Sequence, residues 1–251
     1  MTRTPSSTPT QPGVTLKPDD NQRMFDAIAR RYDLLNHLMS MGLDRLWRER
    51  AVAMLLGRLA KGSNPVRLLD VGCGTGDVSL EIARQSSRAK ILGMDHSAEM
   101  LAFGNRKVAA AGLTDCITLQ AGDAVQTGFP AGSFDGSITA FCFRNIANRP
   151  DFLEESIRVL KPGSPLLILE LTKPRSWGLR ALHRVYSAGI VPCMGLCLSQ
   201  GSAYRYLFKS IEEFPAQDEV VAMMTAAGFE KVRWTPFTGG VVSVFEGLRR
   251  G

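Results

Sequence analysis

Residues 66–77, VRLLDVGCGTGD, run from an apolar segment directly into Gly72, Gly74 and Gly76, each separated by a single residue. This feature constrains the fold more than any other in the chain. A strand that ends in a glycine-rich turn before a helix directs backbone N–H groups and the positive end of a helix dipole toward a ligand. The surrounding pattern supplies the sheet that such a turn needs. Strand-like runs at 66–71, 89–95, 116–120, 134–141 and 165–171 alternate with helical patterns from Asp77, from Ser97 and over 151–160. That alternation predicts an α/β fold, a parallel sheet with helices on both faces.

The chain ends differently. A helix closed by Gly228, a strand from Phe229, a turn at Gly239 and Gly240 and a last strand over 241–245 make an antiparallel hairpin. Seven mostly parallel strands finished by a reversed pair are the layout of the class I methyltransferases. Ordinary nicotinamide-binding domains, the main Rossmann-like rivals, lack the reversed strand. Before the glycine turn, Met24, Phe25, Ile28, Tyr32, Leu35, Leu38 and Met39 recur at helical spacing, and a second helical pattern follows around Gly42.

With 251 residues the chain has room for one core with additions. We expect a disordered tail over 1–20, rich in Pro, Ser and Thr, a helical cap over 21–62, and a core over 63–251 carrying a lid insertion at about 173–214. The tail lacks a signal-peptide apolar segment, and no apolar run reaches membrane-spanning length, so a cytoplasmic protein is expected. Five cysteines scattered along the chain read as reduced thiols, and no set of residues sits at metal-ligand spacing. A formal charge of +6 permits an anionic partner without requiring one.

The glycine spacing narrows the ligand. A dinucleotide fingerprint, G-x-G-x-x-G, places its third glycine where this chain has Asp77, and a carboxylate there would face pyrophosphate charge. S-adenosylmethionine presents a sulfonium and an amino acid end instead. Asp95, at the end of the next strand, suits the two ribose hydroxyls. Asp123 and Ala124 follow the third strand, where a carboxylate either meets the adenine amino group or simply shapes the loop.

At this point the sequence resembles the ubiquinone/menaquinone C-methyltransferase family, which methylates polyprenyl quinols. The likeness covers nearly all of residues 23–247. It rests on MFDAIARRYDLLNHLMSMGLDRLWR, LLDVGCGTGD, FCFRNIANRPDFLEESIRVLKPG, LLILELTKP and SAYRYLFKSIEEFPAQDEVVAMMTAAGF. The resemblance implies S-adenosylmethionine as cofactor, bound through Thr75, Asp95, Asp123 and Ala124 beside Gly72, Gly74 and Gly76. Two positions depart from the family pattern. Ala140 stands where a serine is usual, and Phe245 where many relatives carry histidine, so no catalytic role is expected of the last strand.

Carbon methylation needs a phenolate to activate the ring, alignment of carbon, methyl and sulfur, and exclusion of water. Arg144, just past a strand's carboxyl end, either stabilises the phenolate, positions a proton-accepting water, or pairs with a carboxylate for structure. Asn145 either orients substrate or closes the turn. Tyr32 and Asn36 lie four apart on one helical face, beside Asp33, where the resemblance puts pocket-covering residues; Tyr32 is a catalytic candidate that either bonds the quinol oxygens together with Asn36 or packs in the core. Tyr204, Arg205 and Tyr206 form a similar group that either binds substrate or packs as a lid. His96 follows the ribose aspartate and edges the adenine site.

The expected acceptor is a polyprenyl quinol, demethylmenaquinol first, with a methoxy-polyprenyl-benzoquinol or another small lipid or phenol as the alternatives. Arg175, Arg180 and Arg184, interleaved with Trp177, Leu179, Leu182, Val185 and Ile190, suit either a membrane-surface helix or an ordinary lid. Peripheral contact at the inner membrane face and a homodimer both stay open. No nucleic-acid partner is expected, because the segment after the fourth strand reads AFCFRN rather than an Asn-Pro-Pro-aromatic motif.

Overall fold

The structure is a computed structural model and describes residues 33–34, 36–59, 64–176, 178 and 201–251, with the backbone alone at 201–205. The expected tail, Tyr32, the side chain of Tyr204 and most of the lid insertion lie outside the described residues.

Seven strands form one sheet: β1 (Val66–Val71), β2 (Ala89–Asp95), β3 (Ile117–Ala121), β4 (Gly136–Ala140), β5 (Pro165–Leu171), β6 (Phe229–Phe237) and β7 (Val242–Arg249). Their order is β3-β2-β1-β4-β5-β7-β6. The first five run parallel, and β7 lies antiparallel between β5 and β6. The described helices are α1 (Leu43–Arg58), α2 (Asp77–Gln85), α3 (Ala98–Ala110), α4 (Arg149–Val159), α5 (Gly201–Glu212) and α6 (Gln217–Ala226).

Successive residues of a strand face opposite sides of the sheet, and β1 shows the consequence. Leu68 joins an apolar layer with Trp47, Ala51, Val52 and Leu55 of α1 and Val78 and Ile82 of α2. Leu69 joins the other layer, with Phe152 and Leu153 of α4 and Val220 and Met224 of α6. Residues 47, 51 and 55 repeat every four positions, so α1 buries a single stripe. Phe245 is fully buried in the second layer, opposite Ile168 of β5 and Trp234 of β6.

Two strands differ in length from the sequence reading, each for a tertiary reason. β4 is shorter because Phe134 makes only an isolated bridge to Leu160, and Phe141 leaves the strand with φ +57°. β7 runs on to Arg249 because β5 pairs with it along its whole length, from Pro165 opposite Leu248 to Leu171 opposite Val242. The connections reverse direction between β1 and β4, the point where open parallel sheets leave a crevice at their carboxyl ends.

Candidate active site

A cleft of about 290 Å³ opens at that switch point. It is lined from the ends of β1 (Gly72, Gly74), β2 (Asp95, His96), β3 (Asp123, Ala124) and β4 (Ala140, Cys142), and from the turn holding Asn145. Seven expected site residues are thus brought together: Gly72, Gly74, Asp95, Asp123, Ala124, Asn145 and His96. Thr75, Gly76, Arg144, Asn36 and Tyr206 are not part of the lining.

The glycines serve a different purpose from the one their spacing suggests. Gly72 and Cys73 both donate their N–H to the Met94 carbonyl, Gly76 donates to the Cys73 carbonyl, and Gly74 donates to Asp95 Oδ2 at 2.8 Å. These four N–H groups are satisfied within the protein, as buried backbone must be. The turn therefore offers space. Gly74 has φ +53°, and a Cβ there would project into open space. At Gly72, φ is +69° and a Cβ would lie 2.2 Å from Cys142 Sγ, so the turn and the β4 end approach as closely as glycine permits.

Asp95 closes this half. Its Oδ1 accepts from Ser97 N–H at 2.9 Å and its Oδ2 from Gly74 N–H. The His96 N–H also bonds this carboxylate, whose remaining acceptor capacity is open to a ligand hydroxyl. Burial raises its pKa, against the lowering effect of those N–H groups. Asp123 is exposed, with Oδ1 held by Val125 N–H at 2.9 Å. Asp70, which the sequence reading passed over, lies beneath the turn. It is 1% exposed, accepts from Ser79 Oγ at 2.7 Å, and is pushed up to about 7 by burial.

Asp77 does not face the cleft. Its carboxylate is held by Lys107 and, at 3.1 Å, by Arg48, so it bears on packing behind the turn and not on ligand charge. The Thr75 hydroxyl also points to the rear, toward Asp33 and Lys107.

The other half of the cleft is built around Phe141–Asn145. Phe141, a non-glycine residue at positive φ, lines the cleft, and strained backbone of this kind concentrates at functional sites. It is held by Leu169 O, which accepts its N–H at 2.7 Å, and by Arg144 Nη1, which donates to its carbonyl at 2.6 Å. Arg144 Nη1 also meets Glu170 Oε1 at 2.7 Å, and the Arg144 N–H meets Oε2 at 3.0 Å. The Arg144 side chain is 6% exposed and that of Glu170 fully buried. Arg149 donates to the carbonyls of Phe143 and Arg144 and lies over the rings of Phe143 and Phe214.

From α5, Tyr206 Oη donates to Asn145 Oδ1 at 3.1 Å. Burial raises the Tyr206 pKa, and the nearby Arg144 charge only partly opposes it, so the phenol stays a donor. Cys142 is pushed up to about 12 by burial and is a neutral wall. Asn36 is half-buried on the segment ahead of α1. Arg175 pairs with Asp218 and lies over Trp234, an ordinary structural engagement.

A switch-point cleft with a glycine turn, a carboxylate at the end of β2 and a reversed last strand defines an S-adenosylmethionine-dependent methyltransferase. The wider comparisons agree. The sequence matches the ubiE/COQ5 methyltransferase family over residues 14–249, and the chain belongs to that family.

It is 41% identical over 235 residues to the ubiquinone/menaquinone biosynthesis C-methyltransferase UbiE of Geotalea uraniireducens, covering 93% of this chain and 98% of that one. It is also 41% identical over 227 residues to the demethylmenaquinone methyltransferase of Thermus thermophilus, covering 90% of this chain and all of that one. Among solved structures, an Aquifex aeolicus SAM-dependent methyltransferase superposes with a TM-score of 0.62 at 20% identity, covering 86% of this chain and 97% of that one. The [4+2]-cyclase SpnF superposes at 0.66 and 17%, covering 92% and 95%. At those identities the likeness concerns the fold alone.

Proposed function

We propose that the chain methylates a ring carbon of a polyprenyl quinol, with demethylmenaquinol as its acceptor. The observation that carries this reading is the 41% identity to the Thermus thermophilus demethylmenaquinone methyltransferase over the whole of that chain. The combined name of the Geotalea uraniireducens relative supports a methoxy-polyprenyl-benzoquinol as a second acceptor.

The cleft residues fit the methyl donor: Gly74 leaves open space where a Cβ would project, and Asp95 retains acceptor capacity beyond its backbone N–H partners. In our reading Gly72, Gly74, Asp95, Asp123 and Ala124 hold S-adenosylmethionine, while Thr75 and Gly76 act from behind the turn. When bound, the donor supplies an electrophilic sulfonium methyl. Asn145, with Oδ1 engaged by Tyr206, presents its Nδ2 donors to an acceptor oxygen. Arg144, paired with Glu170 behind the cleft and bonded to the Phe141 carbonyl, holds the turn that presents Asn145. Tyr206 stays protonated and orients Asn145. Asn36, Tyr32 and Tyr204 complete the acceptor side.

The acceptor carries an apolar tail, and Leu34, Leu38, Met41 and Leu46 are large apolar side chains left exposed. We read them as the face of a peripheral membrane contact. Among the described residues no helix is long and apolar enough to cross a membrane.

The direct experiment incubates the protein with methyl-labelled S-adenosylmethionine and either chemically reduced demethylmenaquinone or a methoxy-polyprenyl-benzoquinol. Label in the naphthoquinol is expected. Label in the benzoquinol alone moves the protein to the other pathway, and label in neither, with donor binding intact, rejects the quinol reading.

A further inference from the structure

Thr75 sits between the two glycines Gly74 and Gly76, yet its hydroxyl faces away from the cleft and donates to Asp33 Oδ1 at 2.7 Å. The other Asp33 oxygen accepts from Lys107 Nζ of α3 at 2.9 Å, and the same ammonium reaches Thr75 Oγ1 at 3.1 Å. Lys107 also pairs with Asp77, the first residue of α2. Burial disfavours charge on Lys107, and Asp77 with Asp33 outweighs it, leaving its pKa above the ordinary value.

The network continues and closes on itself. Asp77 meets Arg48 at 3.1 Å, and Arg48 pairs with Asp44 within α1. Asp44, 4% exposed, then accepts from Ser40 Oγ at 2.8 Å and lies 3.0 Å from His37 Nδ1. The segment 33–44 is therefore tied at both ends, through Asp33 and through Asp44, to the rear of the turn whose front lines the cleft. The two ends differ in strength. Asp44 is buried, whereas the side chains of Asp33 and Lys107 are 40% and 29% exposed. Solvent competes for the Asp33 end, so that contact can open while the Asp44 end holds.

We propose that Asp33 is a positioning residue that clasps the segment carrying Asn36 onto the rear of the donor turn, so that occupancy of the donor cleft is coupled to closure of the acceptor side. The physical link is short. Gly74 is bonded to Asp95 at the front, and its neighbour Thr75 is bonded to Asp33 at the rear. A ligand that fixes the front of this turn fixes the Thr75 hydroxyl that Asp33 must find, and by linkage the closed segment favours the same turn geometry. Asp33 touches no reacting atom in this account. The acceptor half of the claim rests on the function proposed above, but the clasp itself does not.

Hydrogen–deuterium exchange tests the clasp without any acceptor. Saturating S-adenosylhomocysteine should slow exchange of the amides at 36–43 several-fold in the unaltered chain. It should not do so in Asp33→Asn, and Asp33→Glu should restore part of the effect. Thr75→Val, which removes the partner hydroxyl, should match Asp33→Asn and covers the case in which the aspartate variant folds poorly.

Calorimetry of reduced demethylmenaquinone with and without S-adenosylhomocysteine then reads the coupling. We expect about 5–20-fold tighter binding with the cofactor product present, within the usual range for coupled sites. That factor should fall toward one in Asp33→Asn, with donor affinity alone changing about two-fold or less. Equal protection at 36–43 in Asp33→Asn and the unaltered chain would overturn the clasp, as would no protection in either. Protection without quinol binding would leave the clasp standing and reject the quinol reading instead.

Discussion

Gly74 and Asp95, on the side of the cleft we assign to the donor, are bonded across 21 residues of chain, whereas Asn145 and Tyr206, on the side we assign to the acceptor, are bonded across 61. The donor side is held by adjacent parallel strands and the turns that leave them. Its shape follows from glycines at positive φ, a helix N-cap at Ser97 and one carboxylate. The other side is held by a buried ion pair, Arg144 with Glu170, and by a side chain arriving from α5. One half is thus a property of local backbone, and the other of distant side chains meeting. A change on either side should therefore injure its own half first.

The largest effect is expected from Glu170→Gln. The carboxylate is fully buried and accepts from the Arg144 guanidinium, the Arg144 N–H and the Leu171 N–H. Neutralising it leaves a buried guanidinium without its counter-charge, a loss of about 3–5 kcal/mol. Thermal denaturation should fall by on the order of 10 °C. Below that temperature, quinol turnover should collapse while donor affinity holds within a few-fold. A parallel collapse of donor affinity would break the division into halves.

Asp70→Asn probes the donor half through pH. Asp70 is pushed up to about 7 from an ordinary value of 3.8, chiefly by burial. Between those values the folded state holds a proton that the unfolded state releases, so this residue's contribution to stability is lost as pH rises from about 4 to about 7. The asparagine variant lacks this titration. Its melting temperature relative to the unaltered chain should rise between pH 4 and pH 7, reflecting a difference on the order of a few kcal/mol. A constant difference across that range would show that Asp70 is ionised in the folded state throughout.

These two residues also show what can be read in a sequence. The glycine turn, Asp95, Ser97 as a helix start and the C-terminal hairpin announce themselves through residue types whose backbone preferences act over a few positions. The fate of Asp77 could not be read in this way. Its carboxylate was expected to confront the ligand, but Lys107, thirty residues on, and Arg48, before β1, draw it to the rear. Arg144 stood open between catalysis and structure because Glu170 becomes its partner only when β4 and β5 pair. Phe141 carried no signal at all, since nothing about a phenylalanine foretells a positive φ. Lys107 and Glu170, both central to the site's framework, look in the sequence like any surface charge.

Gly72→Ala tests the rule from the donor side. The new Cβ would lie 2.2 Å from Cys142 Sγ and 2.6 Å from its Cβ, at φ +69°. Overpacking of this kind costs about 1–3 kcal/mol, and left-handed backbone adds about 1–2 kcal/mol for a residue with a Cβ. Affinity for S-adenosylhomocysteine, read by calorimetry, should fall at least ten-fold. Because Cys142 is two residues before Arg144, this is also the position at which a donor-side change is most able to reach the acceptor turn. Partly restored affinity in Gly72→Ala combined with Cys142→Gly, which removes both the Sγ and the Cβ that the new side chain meets, would trace the damage to that single contact.

Tyr206→Phe should give the smallest effect and the finest discrimination. It removes one hydrogen bond of 3.1 Å to Asn145 Oδ1 and leaves the ring in place. Asn145 lines the cleft, so water can take over the vacated acceptor, and the net loss is about 0.5–1.5 kcal/mol. This corresponds to a two- to ten-fold fall in kcat/KM for the quinol, with donor affinity unchanged. A fall beyond a hundred-fold would mean that the hydroxyl touches the reacting oxygen itself, because orienting an amide cannot account for so much. An unchanged kcat/KM would reduce α5 to packing, and the acceptor half would then rest on Asn145, Arg144 and the segment clasped by Asp33.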